Sequence, residues 1–195
     1  MAIFNTVYGG IWFPWEYQKV EYIQSSWTQY IDTWITLSWK LLTTKCKFRA
    51  LTSNQANYCW VMYSSWSYCY QMHTPNWTVL FYWLNWWDNN KITSPTTSIW
   101  SVNTDIETTI TQTWYLTWTA ANLNFTLFAR NANNSIEKWS LRIYYWQMII
   151  DGDLTRDFVP CYRKADGEIW LYDLVGKQFY TNQWSWTFTK WPDVN

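Results

Sequence analysis

The sequence predicts an all-β domain, a two-sheet antiparallel sandwich preceded by a short N-terminal arm. Three observations carry this prediction. Short runs dominated by Thr, Tyr, Ile and Val alternate with Ser, Asn, Asp and Gly clusters from residue 17 to residue 181. No long stretch keeps the i, i+3, i+4, i+7 apolar spacing of an amphipathic helix. The length, 195 residues, suits one domain with a substantial core and leaves little room for two.

Residues 1–15 read as an arm or linker, because Gly9-Gly10 and Pro14 interrupt any regular element. The domain is expected over residues 16–195. Its predicted strands are Tyr17 to Gln24, Thr28 to Thr33, Lys45 to Leu51, Tyr58 to Tyr63, Tyr68 to His73 and Thr78 to Leu84. They continue with Ile106 to Gln112, Leu123 to Arg130, Leu141 to Ile150, Leu154 to Tyr162, Ile169 to Tyr172 and Lys177 to Thr181. Two hairpins stand out. Ile150-Asp151-Gly152-Asp153 carries the Asp-Gly signature of a type I′ turn, and Leu174-Val175-Gly176-Lys177 joins two apolar runs. A turn or two of helix is expected only near Asn131 to Glu137.

Charge excludes some partners. Lysine plus arginine and aspartate plus glutamate both number 14, so there is no excess positive charge to capture nucleic acid or anionic lipid. The opening MAIFNTVYGG has neither the basic nor the apolar region of a secretory signal, and no apolar run reaches membrane-spanning length. Cys46, Cys59, Cys69 and Cys161 form no Cys-x-x-Cys pair and are expected as free buried thiols. His73 is the only histidine and has no companion of zinc-site spacing.

The oddest feature is 20 tryptophans against 5 glycines. A chain of this length ordinarily holds roughly a dozen or more glycines, at about 7% of residues. The tryptophans follow turn formers, as in Ser26-Trp27, Ser38-Trp39, Ser65-Trp66, Asn76-Trp77, Asn85-Trp86-Trp87 and Gln183-Trp184-Ser185-Trp186. Those are contexts for glycine, which accepts positive φ where a bulky residue is strained. The pattern predicts an alternative genetic code, in which UGA codons that the source reads as glycine are written here as tryptophan. The competing reading is a tryptophan-rich protein with exposed aromatics available to stack on sugars.

Two segments resemble a known family. The first is Glu21-Tyr22-Ile23-Gln24-Ser25-Ser26-Trp27-Thr28-Gln29-Tyr30-Ile31-Asp32-Thr33-Trp34-Ile35. The second runs from Arg156-Asp157-Phe158-Val159-Pro160-Cys161-Tyr162-Arg163 through Gly167-Glu168-Ile169-Trp170-Leu171-Tyr172-Asp173 to Phe179-Tyr180-Thr181-Asn182. Together with Leu127-Phe128-Ala129-Arg130 they resemble the concanavalin A-like, laminin G-like jelly-roll domains of phage structural and bacterial surface proteins. Trp27, Trp34, Trp184, Trp186 and Trp191 fall on glycines of that pattern. The resemblance implies a jelly-roll sandwich, with Arg156 and Asp157 as structural hydrogen-bonding groups near a strand end. It carries a fold more directly than an activity.

Catalytic chemistry finds little support. Glycoside hydrolysis on this fold needs paired carboxylates, typically in a Glu-x-Asp-x-Glu strand, and the nearest approach is Asp105-Ile106-Glu107 with Thr109 where a third acid would stand. Asp151, Asp153, Glu168 and Asp173 read as turn residues, and His73 sits in no nucleophile motif. No enzyme activity, catalytic residue or cofactor is expected. The candidate ligand-binding residues lie in polar loops: Asp88, Asn89 and Asn90 in one, and Arg130, Asn133 and Asn134, with Asn131, in another. Their amide and carboxylate groups suit sugar hydroxyls and also suit calcium, which takes oxygen ligands. The expected function is a virion or cell-surface binding module for glycans or another surface polymer, monomeric or oligomeric, without nucleic-acid or membrane partners. The alternative is a purely structural decoration or fibre protein that meets virion partners through the arm; a glycoside hydrolase is the third reading.

Overall fold

A computed structural model describes residues 6–8, 11–51, 56–63, 67–74, 78–84, 99–111, 123–132 and 135–194. Every regular element among them is a strand, and they are numbered β1 to β18 in chain order. A small hairpin of β1 (Thr6–Tyr8) and β2 (Ile11–Phe13) forms a sheet of its own.

The first large sheet has the order β10 (Asp105–Thr111), β5 (Leu42–Ala50), β14 (Leu141–Ile150), β3 (Tyr17–Gln24), β15 (Asp153–Arg163), β16 (Ile169–Asp173) and β17 (Gln178–Tyr180). The last strand, β18 (Thr189–Asp193), returns to pair with β3, setting Thr189 opposite Gln24 and Trp191 opposite Tyr22. The first and last strands of the domain therefore lie together. The second sheet has the order β13 (Ser135–Lys138), β12 (Ala129–Ala132), β6 (Ala56–Tyr63), β7 (Ser67–Thr74), β8 (Thr78–Leu84) and β9 (Ile99–Ser101). Strand β11 (Thr126–Leu127) pairs with both β6 and β4 (Ile31–Asp32).

One buried apolar core takes residues from both sheets: Ile23, Phe48, Ile143, Trp146, Met148, Phe158 and Leu171 from the first, and Ile31 and Leu127 from the second, with Phe125 and Phe128 beside them. The fold is thus all-β and β-sandwich-like. Alternation explains it. In β5 the even residues Leu42, Thr44, Cys46, Phe48 and Ala50 are buried while Thr43, Lys45, Lys47 and Arg49 face outward, the period-2 pattern of a half-buried strand.

Pairing is antiparallel except between β6 and β12, which run parallel. The chain reverses at Phe128, whose φ is 65°, so β11 runs antiparallel and β12 parallel to the same stretch of β6. The expected helical turn near Asn131 to Glu137 is instead the β12–β13 hairpin, pairing Arg130 with Glu137 and Asn131 with Ile136. Four-residue strands flanking Asn133-Asn134 leave no room for a helix.

Both expected tight turns form, but their glycines differ in role. At Asp151-Gly152 both residues have positive φ, 53° and 93°, as a type I′ turn requires. In the second, the left-handed residue is Lys177 (φ 53°), not Gly176. Gly176 is needed for closeness: a Cβ there would stand 2.6 Å from Asp173 Oδ2. That carboxylate is buried and accepts from the backbone N–H of Asp157 at 2.9 Å and of Val175 at 3.0 Å. The Arg156 guanidinium lies 3.5 Å away, an ion pair rather than a hydrogen bond. Arg156, Asp157 and Asp173 thus join the first half of β15 to the β16–β17 turn.

The β1–β2 hairpin is tied to the first large sheet at its end. Phe13 is buried in a second apolar cluster with Val159, Cys161, Trp170 and Tyr172, bordered by Tyr17, Leu174 and Phe179. Val159 and Cys161 alternate with Phe158 of the main core, so this cluster covers the opposite, outer face of the first sheet at its β15–β17 end.

Candidate functional site

The other half of that outer face, over β10, β5, β14 and β3, is polar and aromatic. Cross-strand register sets Asp105 opposite Arg49 and Glu107 opposite Lys47. On the far side of β5, Arg142 is beside Arg49 and Tyr145 beside Lys47. Opposite charges facing each other across antiparallel strands fix the local pairing. Arg49 Nε donates to Asp105 Oδ1 at 2.6 Å.

A register shift in β14 between Ile143 and Tyr145 makes Tyr144 an extra residue against β5. Such a bulge re-aims side chains. Leu141 and Ile143 face the core before it, and Trp146, Met148 and Ile150 after it. Consecutive tyrosines both reach the outer face as a result. Tyr144 donates its hydroxyl to Asp105 at 2.7 Å, and Tyr145 donates to Glu107 at 2.9 Å, each spanning β5 to a carboxylate two strands away.

Strand β3 extends the patch. The rings of Tyr22 and Tyr144 meet edge to face with centroids 5.2 Å apart. Arg142 lies over the Tyr22 ring at 4.6 Å while its Nε donates to Gln24 Oε1 at 2.7 Å, and Lys47 lies 4.8 Å from the Tyr144 centroid. Cations over ring faces hold both partners in defined orientations.

Electrostatics follow from these contacts. Burial raises the Tyr144 hydroxyl first, and its hydrogen bond to Asp105 adds to this, so that it is pushed up to about 12. Tyr145 is likewise pushed up to about 12 by burial and by Glu107. Partial burial alone would raise the Asp105 carboxyl, but donation from Arg49 and Tyr144 outweighs it and holds Asp105 below its ordinary value. Farther along the face, Asp157 is raised by burial and by the neighbouring Asp173, while Gln147 and Lys19 oppose the shift. A carboxylate held charged by an arginine and a tyrosine is a hydrogen-bond acceptor, and a poor proton donor at neutral pH.

The predicted loop residues are placed unevenly. Asp88, Asn89, Asn90, Asn133 and Asn134 lie outside the described residues. Arg130 is on β12, and its Nη2 pairs with Glu137 across the hairpin. Asn131 turns back to donate to the Asn124 carbonyl at 3.0 Å. Both side chains serve hairpin geometry here. His73 falls on β7 and Cys59 and Cys69 on β6 and β7, where the backbone alone is described. Cys46 and Cys161 are free and buried, and burial pushes both thiols up. Among the described residues no group of three His, Cys, Asp or Glu could hold a metal ion, and no helix is long and apolar enough to cross a membrane.

Tyr22, Arg142, Tyr144, Tyr145, Asp105 and Glu107 lie on strands, apart from the polar loops that the sequence offers as candidates. One signal for them is legible in residues 141–150: Leu141 and Ile143 are odd, whereas Trp146, Met148 and Ile150 are even, Ile149 being the exception, and the change of phase marks a bulge between Ile143 and Trp146.

Comparison of the chain with protein-family models, with curated proteins and with solved structures gives no match.

Proposed function

We propose that this chain is a non-catalytic binding module, a concanavalin- or laminin-G-like jelly roll, that recognises glycans or another hydroxyl-rich surface polymer on a virion or cell surface. The observation that carries this reading is the outer face of β10, β5, β14 and β3. There Tyr22, Tyr144 and Tyr145 stand among Arg49, Arg142, Asp105 and Glu107 in a fixed hydrogen-bonded array. Tyrosine offers rigid amphipathic area with few torsions to freeze, and arginine and carboxylate offer directional partners for hydroxyl groups. The pairing of β3 with β18 and the core shared by two sheets support the jelly-roll topology. The state of Asp105, held ionised, supports binding over acid catalysis.

A second reading, a decoration or fibre protein that meets virion partners through the arm, draws on one observation. The β1–β2 hairpin pairs with no other strand among the described residues, yet Phe13 at its end is buried in the domain. That arrangement suits a handle fixed at one end. The two readings are compatible in one molecule.

The test is a glycan array probed with the folded chain, with and without calcium. Binding to a related set of glycans, weakened by Tyr22→Ala, supports the proposal. A folded protein silent across the array in both conditions contradicts it and leaves the structural reading. Binding that requires calcium would move the site to the oxygen-rich loops at Asp88 to Asn90 and Asn133-Asn134.

A further inference from the structure

We infer that Trp27, Trp34, Trp39 and Trp186 are glycines in the protein as its natural source makes it. The inference rests on backbone geometry and is independent of the proposed binding function.

All four have φ in the left-handed region: 72°, 56°, 55° and 69°. A side chain with a Cβ is disfavoured there because it approaches the following carbonyl, whereas glycine is not. Among the described residues, eight non-glycine positions have positive φ, and tryptophan fills four of them. The other four have local reasons. Asn103 and Asp151 are residue types that tolerate this region, and Lys177 closes the short β16–β17 loop. Phe128 is fully buried and packs on Phe188 at 4.8 Å, so core packing holds it in place.

The four tryptophans have no such compensation. They are 43%, 63%, 67% and 78% exposed in chain order, so burying the indole cannot repay the strain. Among the described residues, Trp27 meets one ring, that of Trp139, at 5.4 Å.

Each position is instead fixed by its surroundings in the shape glycine favours. Lys40 N–H donates to the Leu37 carbonyl at 3.2 Å, closing a turn with Trp39 third, the place a type II turn gives to glycine. Trp34 N–H donates to Asp32 Oδ1 at 2.7 Å. The side chain of Asn182 donates to the carbonyls of Trp184 at 2.9 Å and Trp186 at 2.6 Å, and accepts from Tyr30 N–H at 3.0 Å, locking the 182–186 loop to the chain before β4. Gln29 spans Ser26 N–H at 2.7 Å and the Thr187 carbonyl at 2.7 Å, bracketing Trp27 and Trp186 together. Asp32, Gln29 and Asn182 side chains and one backbone hydrogen bond thus hold four turns whose left-handed residue bears an exposed indole.

Composition agrees, with 20 tryptophans and 5 glycines. A UGA codon read as glycine by the source and as tryptophan elsewhere accounts for both observations. The inference is confined to these four positions. Trp184 and Trp191, though exposed, are not in the left-handed region, and Trp66, Trp77, Trp86 and Trp87 lie outside the described residues.

Peptide mass spectrometry of the protein from its natural source tests this directly. Glycine masses at all four positions, from UGA codons, are expected; tryptophan masses there overturn the inference. A second measurement uses the recombinant chain. Combining Trp27→Gly, Trp34→Gly, Trp39→Gly and Trp186→Gly is expected to raise the denaturant midpoint, while Trp191→Gly, inside strand β18, is not. A quadruple variant with an unchanged or lower midpoint, or an equal rise from Trp191→Gly alone, contradicts it.

Discussion

Tyr144 crosses strand β5 to donate its hydroxyl to Asp105 at 2.7 Å, and the same carboxylate oxygen accepts from Arg49 at 2.6 Å. This pair depends on the bulge that turns Tyr144 outward and binds three strands of the polar face together. Tyr144→Phe removes the hydroxyl while keeping the ring against Tyr22. It is expected to destabilise the fold by about 0.5–1.5 kcal/mol, the net worth of a typical hydrogen bond. Urea unfolding checks this, and Asp105→Asn combined with it should cost less than the two changes summed.

The two tyrosines also set an alkaline limit. Their folded values, pushed up to about 12, lie above the ordinary 10.0. A group whose folded value is raised gives stability that is complete below its unfolded value and lost as pH rises through the folded one. Stability should therefore hold up to pH 10 and fall between pH 10 and 12, and the fall should be smaller in Tyr144→Phe. Asp105 acts in the opposite direction, because its value is lowered: its contribution is present above the ordinary 3.8 and lost as pH falls below it. Ultraviolet titration of tyrosine beside unfolding curves at each pH measures the alkaline limb.

Gly176→Ala and Gly152→Ala should fail for different reasons. At Gly152, with φ of 93° and nothing within 4 Å, the cost is backbone strain of about 1–2 kcal/mol. At Gly176 the new Cβ strikes Asp173 Oδ2, displacing a buried carboxylate from its two backbone donors, for about 1–3 kcal/mol. Replacing Asp173 with Asn relieves the charge and should soften the effect at Gly176 while leaving that at Gly152 unchanged. Thermal unfolding of each alanine variant, compared with its parent in the presence and absence of Asp173→Asn, distinguishes the two mechanisms.

Phe13 fastens the β1–β2 hairpin. Phe13→Ala empties its place against Tyr172, whose ring it meets edge-on at 5.2 Å, and should cost about 3 kcal/mol, the lower end for a buried phenylalanine. Limited proteolysis should then cut before Glu16 much faster than in the unaltered chain.

The sequence made the strands legible where alternation or apolar continuity was strong. Tyr17–Gln24, Thr78–Leu84 and Leu141–Ile150 form with the expected boundaries. It misleads where the β12–β13 hairpin reads as a helical turn, between Asn131 and Glu137, and where one run conceals a reversal, at Phe128. Strand β18 was not expected, because Thr189 to Asp193 contains Pro192 and has no alternation of its own; pairing with β3 holds it. Most of the outer-face site is not legible in the sequence, because charged and aromatic residues on separate strands become neighbours only through register. Asp105 and Tyr144 are 39 residues apart in sequence. The change of apolar phase between Ile143 and Trp146 was the available clue to the bulge.

The most direct measurement is calorimetric titration of the strongest array glycan into the chain and into its Tyr22→Ala variant, with folding of both verified by circular dichroism. Tyr22 lies on the polar face between Arg142 and Tyr144, so its loss should weaken binding by about tenfold or more, about 1.4 kcal/mol. Equal affinity in the two folded proteins would contradict the assignment of the binding site to this face.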